Sequence, residues 1–260
     1  AIMNVSGATL NITGGTISNC ESNQGGGGIV NKGYSATIIG CTFDNNTATT
    51  RGGAIWSDHS ISTGGCTFTN NKALAQGQGG DGGAIHVESS TFTLVDDIIT
   101  GNSSKDAGAI YVKSGARLDI YGNTLISGNE STEHGGGGIV NYGTVNMLGG
   151  TITNNTCHTD GAGIWNNGTI TMQGDVKVKN NIGDDVFLKN GTSIHTGSLT
   201  SGQNSIGIRM ETPNVFTVGY GTHNPGNFNH FFSSGTINPI ELIDGECKMF
   251  YAYYECTWDS

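Results

Sequence analysis

Three aspartates in this sequence have the chemical character and the spacing of a functional site. Asp81, Asp106 and Asp160 each lie four residues before an isoleucine of a repeated motif. Carboxylates stacked in this way could hold Ca²⁺, which takes oxygen ligands, or serve as catalytic groups of an enzyme that cleaves polysaccharide. Arg51 and Gly135 interrupt the series, and turn aspartates often bond only to their own backbone. We therefore treat the three as weak candidates for calcium or catalysis and expect no other cofactor.

A second set consists of ring-bearing side chains that directly follow the same isoleucines. It comprises Trp56, His86, Tyr111 and Trp165. In a strand, neighbouring side chains point to opposite faces, so an inward isoleucine places the next residue on the outer surface. Aromatic faces there could stack on sugar rings or pack on another apolar surface. We predict that these four residues bind a ligand; the alternative is that they only stabilise the sheet.

Both sets belong to a repeat whose signature is Gly-Gly-Ala-Ile or a variant of it with other small residues before the isoleucine. Six copies, measured at the isoleucine, are separated by 26, 30, 25, 29 and 25 residues: Ile29, Ile55, Ile85, Ile110, Ile139 and Ile164. A second signature places an asparagine three positions after an apolar residue and keeps the same mean period: Asn46, Asn71, Asn102, Asn129, Asn155 and Asn181. Self-similarity at this period indicates a repeat architecture.

The fold class follows from what lies between the signatures. Apolar residues alternate there, as in Thr169–Met172, which is typical of strands, and the 44 glycines supply turns. Three short strands in each repeat predict an all-β, right-handed parallel β-helix of about seven to nine turns, with asparagines bonding along its length. A β-propeller needs longer repeats, and a leucine-rich solenoid needs a leucine pattern that this chain lacks.

The chain divides into two predicted regions. Residues 1–210 carry the β-helix, and residues 211–260, which hold all three prolines and most of the phenylalanines and tyrosines, would cap its exposed end. Cys247 and Cys256 could close a terminal hairpin by a disulfide. Cys41 and Cys66 occupy equivalent positions of adjacent repeats, where stacked thiols and a bond both remain open.

Charge and hydropathy narrow the range of partners. The formal net charge is -10 and there is no basic stripe, so we expect no nucleic-acid partner. We expect no membrane span, because no apolar run reaches about 18 residues. No signal peptide is visible at the start. The cysteine content favours an extracellular or cell-surface location.

The paired motifs resemble those of known surface proteins. Gly52–Ile55 followed by Phe68–Asn71 is similar to the repeats of chlamydial polymorphic outer-membrane proteins and of adhesin-like proteins from gut bacteria and methanogenic archaea. The segment from Asp185–Leu188 through Phe216–Tyr220 looks like the closing segment of β-helical surface proteins. The resemblance implies a secreted, surface-displayed β-helix that acts in attachment.

Together these features favour a non-catalytic protein of adhesion or surface structure that binds a host or cell-surface glycan or protein. Two other classes remain open. One is a polysaccharide lyase or glycoside hydrolase that uses the turn carboxylates. The other is an extracellular filament subunit whose ends associate head to tail.

Overall fold

A computed structural model of the chain describes residues 1–74, 82–224, 229–234 and 239–250. As the repeats predict, the protein is an all-β, right-handed parallel β-helix of about eight turns. Each regular turn contributes one strand to each of three columns. Many turns add a two-residue strand at one corner, which the alternation pattern did not indicate.

The strands are grouped here by column. The first column contains Ile2–Asn4, Ile29–Asn31, Ile55–Ser57, Ile85–Val87, Ile110–Val112, Ile139–Asn141, Ile164–Asn166 and Val186–Leu188. The second contains Thr9–Thr13, Ser35–Ile39, Ser60–Gly64, Thr91–Val95, Arg117–Tyr121, Thr144–Met147, Thr169–Gly174, Ile194–Leu199 and Thr217–Val218. The third contains Thr16–Ser18, Thr42–Asp44, Thr67–Thr69, Ile98–Thr100, Leu125–Ser127, Gly150–Thr153, Val176–Val178 and Phe231–Ser233. The corner strands are Glu21–Ser22, Thr47–Ala48, Lys72–Ala73, Ser103–Ser104 and Glu130–Ser131.

Strands within a column pair in parallel with their equivalents one turn away. The strand Ile206–Met210 pairs with both Val176–Val178 and Val186–Leu188. It therefore joins the first and third columns into one 17-stranded sheet, beside a 9-stranded second column and a 5-stranded corner column.

The core consists of inward side chains that stack on their own copies. All six isoleucines of the glycine motif are fully buried, which confirms the predicted direction of this position. In the third column the rings of Phe43 and Phe68 stack with centroids 4.7 Å apart and an interplanar angle of 2°. Burying these apolar surfaces is the main favourable contribution to folding.

The predicted asparagine column is a continuous, buried hydrogen-bond ladder. The Oδ1 atom of Asn102 accepts both the backbone N–H and the Nδ2–H of Asn71, each at 2.9 Å. The Nδ2 atom of Asn71 also donates to the carbonyl of Phe43 at 3.0 Å. The same arrangement continues through Asn181, where Asp185 Oδ1 accepts both donors at 2.9 Å. The ladder satisfies backbone groups at a corner that has no regular strand pairing.

A second, interrupted ladder lies at the end of the first column and was missed by the sequence analysis. Asn4 donates to Asn31 at 2.8 Å, and Asn31 donates to Ser57 at 3.0 Å. Later in the chain Asn141 donates to Asn166 at 2.7 Å. The signal was present as an asparagine two residues after the motif isoleucine.

Glycines form the corner before the first column. Neither of the two consecutive glycine positions there, such as Gly52 and Gly53, has room for a side chain. Gly52 has a φ of +60°, and a Cβ there would lie 2.1 Å from the carbonyl oxygen of Ile55. At Gly53 a Cβ would lie 2.2 Å from the carbonyl oxygen of Gly83 in the next turn. The first glycine supplies left-handed geometry and the second allows close approach between turns.

Cysteines in the regular turns are thiols rather than disulfides. Cys41 and Cys66 are buried in register, and the Cys41 N–H donates to Cys66 Sγ at 3.4 Å. Burial raises the pKa of both thiols. The predicted disulfide between Cys247 and Cys256 cannot be placed, because Cys256 lies outside the described residues.

Aromatic residues and a hairpin cover the C-terminal end of the core. Phe216 and Phe231 make an edge-to-face contact at 5.3 Å, and Tyr220 in the short helix Tyr220–His223 packs on Phe231 at 5.4 Å. The antiparallel strands Ile240–Ile243 and Glu246–Met249 form the hairpin. The domain boundary at residue 210 stays a prediction, and parallel pairing continues beyond it to residue 233.

Within the described residues, no helix has the length and apolar character that crossing a membrane requires.

Replacing Asn102 by alanine should destabilise the β-helix strongly. The change leaves the N–H groups of Asn71 and the carbonyl of Phe68 without their partner, and each unsatisfied buried group costs free energy. We expect the free energy of unfolding in urea to fall by about 2–4 kcal/mol. The control is Asn11→Ala, because Asn11 is exposed on a strand of the second column. Equal stability of the two variants would contradict a structural role for the ladder.

Candidate functional site

The outward residues next to the motif isoleucines form one column along the surface, which we call the outer column. Strand register aligns its members across consecutive turns. They are Met3, Val30, Trp56, His86, Tyr111, Val140, Trp165, Phe187 and Arg209. The four ring-bearing residues predicted from the sequence thus lie on the same face, although Val140 separates Tyr111 from Trp165.

Exposure distinguishes the four predicted ring-bearing residues. Trp56, Tyr111 and Trp165 are partly exposed, whereas His86 is only 1% exposed. The His86 ring stacks on Tyr111 at 5.2 Å with an interplanar angle of 4°, and its Nε2 lies 3.0 Å from Glu88. His86 therefore lies in the predicted column but supports its neighbours and presents almost no surface to a ligand.

Tyr142 completes the row of rings and was not among the predicted site residues. Its ring lies 5.7 Å from that of Tyr111 and 5.1 Å from that of Trp165. Tyr111 and Trp165 are two turns apart, about 9.6 Å along the axis, and Val140 between them is too short to fill that space. Tyr142 is 38% exposed and follows the strand Ile139–Asn141. It lies three residues after the motif isoleucine, a position that holds no ring in the other five copies, so no periodic signal in the sequence indicates it.

These rings border a groove of about 320 Å³, which we call the aromatic groove. Its walls combine outer-column residues, residues of the corner loops before the first column, and Tyr142: Asp106, Tyr111, His134, Gly135, Val140, Tyr142, Thr159 and Trp165. Ligand sites typically have volumes of a few hundred Å³ and join apolar walls to a few polar groups. The aromatic groove has this composition.

The two described members of the predicted acidic column, Asp106 and Asp160, each pair with a side chain from another turn. Asp106 pairs with His134 Nδ1 at 2.5 Å inside the aromatic groove. Asp160 pairs with Arg209, which also contacts Asp184 at 2.6 Å. Asp81 lies outside the described residues. Across the part of the chain that the structure describes, no group of three or more His, Cys, Asp or Glu side chains is placed to hold a metal ion.

Glu88 is the centre of a charged cluster beneath the outer column. Its carboxylate accepts His86 Nε2 at 3.0 Å and Arg51 at 3.1 Å, and it also contacts Lys113. The hydrogen bond from His86, helped by Lys113, lowers the pKa of Glu88 to about 2, whereas burial lowers the pKa of His86. The neutral imidazole therefore donates to the carboxylate, which fixes the ring against Tyr111.

Comparisons with known proteins agree with the fold and add no activity. A family model described as a right-handed β-helix region matches residues 1–125. No curated protein and no solved structure matched the chain.

The charged cluster should make stability depend on pH in a defined window. The pKa of Glu88 is lowered from 4.5 to about 2 in the folded protein, so its contribution is complete above about pH 4.5 and is lost as pH falls towards 2. We expect Glu88→Gln to remove about 1–2 kcal/mol at pH 7, since solvent screens part of the effect, and to match the wild type near pH 2.

Urea unfolding between pH 2 and 7 measures this difference. His86 also reduces stability as the pH falls below about 6.5, because its lowered pKa opposes, in the folded protein, the protonation that the unfolded chain undergoes. The control is Glu133→Gln, which removes an exposed pair with Lys105 and should shift the curve little. A constant difference between wild type and Glu88→Gln down to pH 2 would contradict the assignment.

Proposed function

We propose that this β-helix is a secreted or surface-displayed binding module that takes a glycan in the aromatic groove, without catalysis. The observation that carries the proposal is the row formed by the rings of Tyr111, Tyr142 and Trp165 along a groove with polar walls. Surface display is supported by the resemblance of the repeats to those of adhesin-like proteins.

Sugar recognition suits the chemistry of this groove. Aromatic side chains offer apolar faces that can pack on the C–H face of a pyranose ring. Asp106, His134 and Thr159 lie in the same groove and can exchange hydrogen bonds with hydroxyl groups. The groove therefore combines stacking with directional polar contacts, which specific binding requires.

The scaffold also suits a binding role. The rings rest on strands whose inward neighbours, such as Ile110 and Ile164, are fully buried in the core. His86 stacks against Tyr111 and holds that end of the row. Because the rings are positioned before a ligand arrives, little conformational entropy is lost on binding.

The proposal is tested by replacing Tyr142 with alanine. A glycan array with the whole chain identifies neutral oligosaccharides that bind, and calorimetry then measures their Kd. We expect Tyr142→Ala to weaken binding about tenfold, because an exposed ring at the centre of the row is lost. Trp165→Ala should weaken binding at least as much.

The matched control is Tyr34→Ala. Tyr34 is 76% exposed and is not among the residues that line the aromatic groove. Its variant should bind like the wild type, and thermal unfolding should show all three variants folded. An array without neutral ligands, or equal binding by the Tyr142 and Tyr34 variants, would refute glycan binding in this groove.

A second candidate function is glycan cleavage, and one observation favours it. The carboxylate of Asp106 lies 2.5 Å from His134 within the aromatic groove, and such a pair can act in acid–base catalysis on a substrate bound beside it. Release of reducing ends from bound glycans, abolished in Asp106→Asn with binding retained, would establish cleavage. Binding without product formation by the wild type would leave the non-catalytic function.

A further inference from the structure

A second groove lies on the same face, nearer the N-terminus, and has a volume of about 460 Å³. We call it the cationic groove. It is built like the aromatic groove, from outer-column residues, a corner loop and the residue three positions after the motif isoleucine. Its lining residues are Met3, Ser22, Asn23, Gln24, Gly25, Val30, Lys32, Thr50, Arg51 and Trp56.

The charge of this groove is opposite to that of the chain as a whole. Lys32 and Arg51 line it, and none of the described lining residues is acidic, although the chain carries a net charge of -10. Glu88 contacts Arg51 at 3.1 Å but also shares its carboxylate with Lys113. The described residues that line the groove thus include two cationic side chains and no acidic one, and cationic side chains attract anions.

The same groove offers an apolar platform beside its cations. Trp56 is partly exposed, and the ammonium group of Lys32 lies 5.5 Å from the centre of its ring. A ring-shaped ligand on Trp56 would place its substituents within reach of Lys32. Gln24 and Asn23 from the corner loop add amide groups that can bond to hydroxyls.

We propose that the cationic groove is a second subsite, selective for an acidic sugar. Trp56 packs on the sugar ring, while Lys32 and Arg51 bind its carboxylate or sulfate group through charge-assisted hydrogen bonds. This inference rests on the proposed function, because it assigns the acidic part of a bound glycan to the same face. The aromatic groove, where Asp106 supplies a negative charge, takes neutral sugar.

The test compares probes that differ only in charge. Calorimetry with the whole chain measures binding of tetragalacturonic acid against its methyl ester, and of dextran sulfate against dextran, to distinguish carboxylate from sulfate. We expect at least one acidic probe to bind about tenfold more tightly than its neutral partner, with an advantage that shrinks as salt is added.

Lys32→Gln should remove most of that advantage, about fivefold to tenfold in Kd, and Lys32→Glu should abolish it. The matched control is Lys177→Gln. Lys177 is a partly exposed lysine on a strand of the third column, it pairs with Asp175, and it is not among the residues that line the cationic groove. Trp56→Ala should weaken acidic probes, and thermal unfolding should show each variant folded.

The outcomes separate the two proposals. Acidic probes that bind no better than neutral ones, or that bind Lys32→Gln and Lys177→Gln equally, overturn the acidic subsite while leaving neutral binding through Tyr142 intact. Loss of acidic binding in Lys32→Gln, with no effect of Tyr142→Ala on neutral probes, supports the subsite and rejects the aromatic groove.

Discussion

The buried asparagine ladder is the constraint on which the rest of this structure depends. At its corner each turn changes direction and leaves backbone donors and acceptors that no strand satisfies. One amide per turn, such as that of Asn102, accepts two donors from the asparagine of the turn before and donates to a backbone carbonyl of that same turn. Because an unpaired buried polar group is costly, the ladder bonds consecutive turns in a single register. Asp185 ends it without introducing a side-chain donor.

Because the register is fixed, the variable residues that follow the motif isoleucines form one continuous surface. Residues after the motif isoleucines are aligned turn by turn, so substitutions there alter the outer face without disturbing the buried rung beneath. The two grooves illustrate the consequence. Each groove is formed by equivalent positions in its own set of turns. The cationic groove carries Lys32 and Arg51 where the aromatic groove carries Tyr142 and Asp106. Their chemistry differs although their scaffold is the same, as expected where function is placed on a rigid frame.

Local patterns predicted the frame well, but they did not show which outward side chains are exposed or which lie together. The isoleucine rungs and the asparagine ladder are as predicted, because each depends on a residue type repeated at one period. His86 was predicted to face a ligand, but it is buried through its contacts with Glu88 and Tyr111. Tyr142 was overlooked because it appears in one repeat alone, and a single copy produces no periodic signal. Its place beside Trp165 depends on Val140 being small.

What the sequence determined by itself is the architecture: the glycine corners, the inward rungs and the direction of the residue after each rung. These properties are local or strictly repeated, so aligning one repeat with the next reveals them. Only the tertiary structure decided which side chains meet. Asp106 pairs with His134 in the next corner loop, and Asp160 pairs with Arg209 in the strand Ile206–Met210. The row of rings and the charge of the cationic groove likewise depend on side chains one or two turns apart. The spacing of residues along the sequence does not show how close those side chains lie.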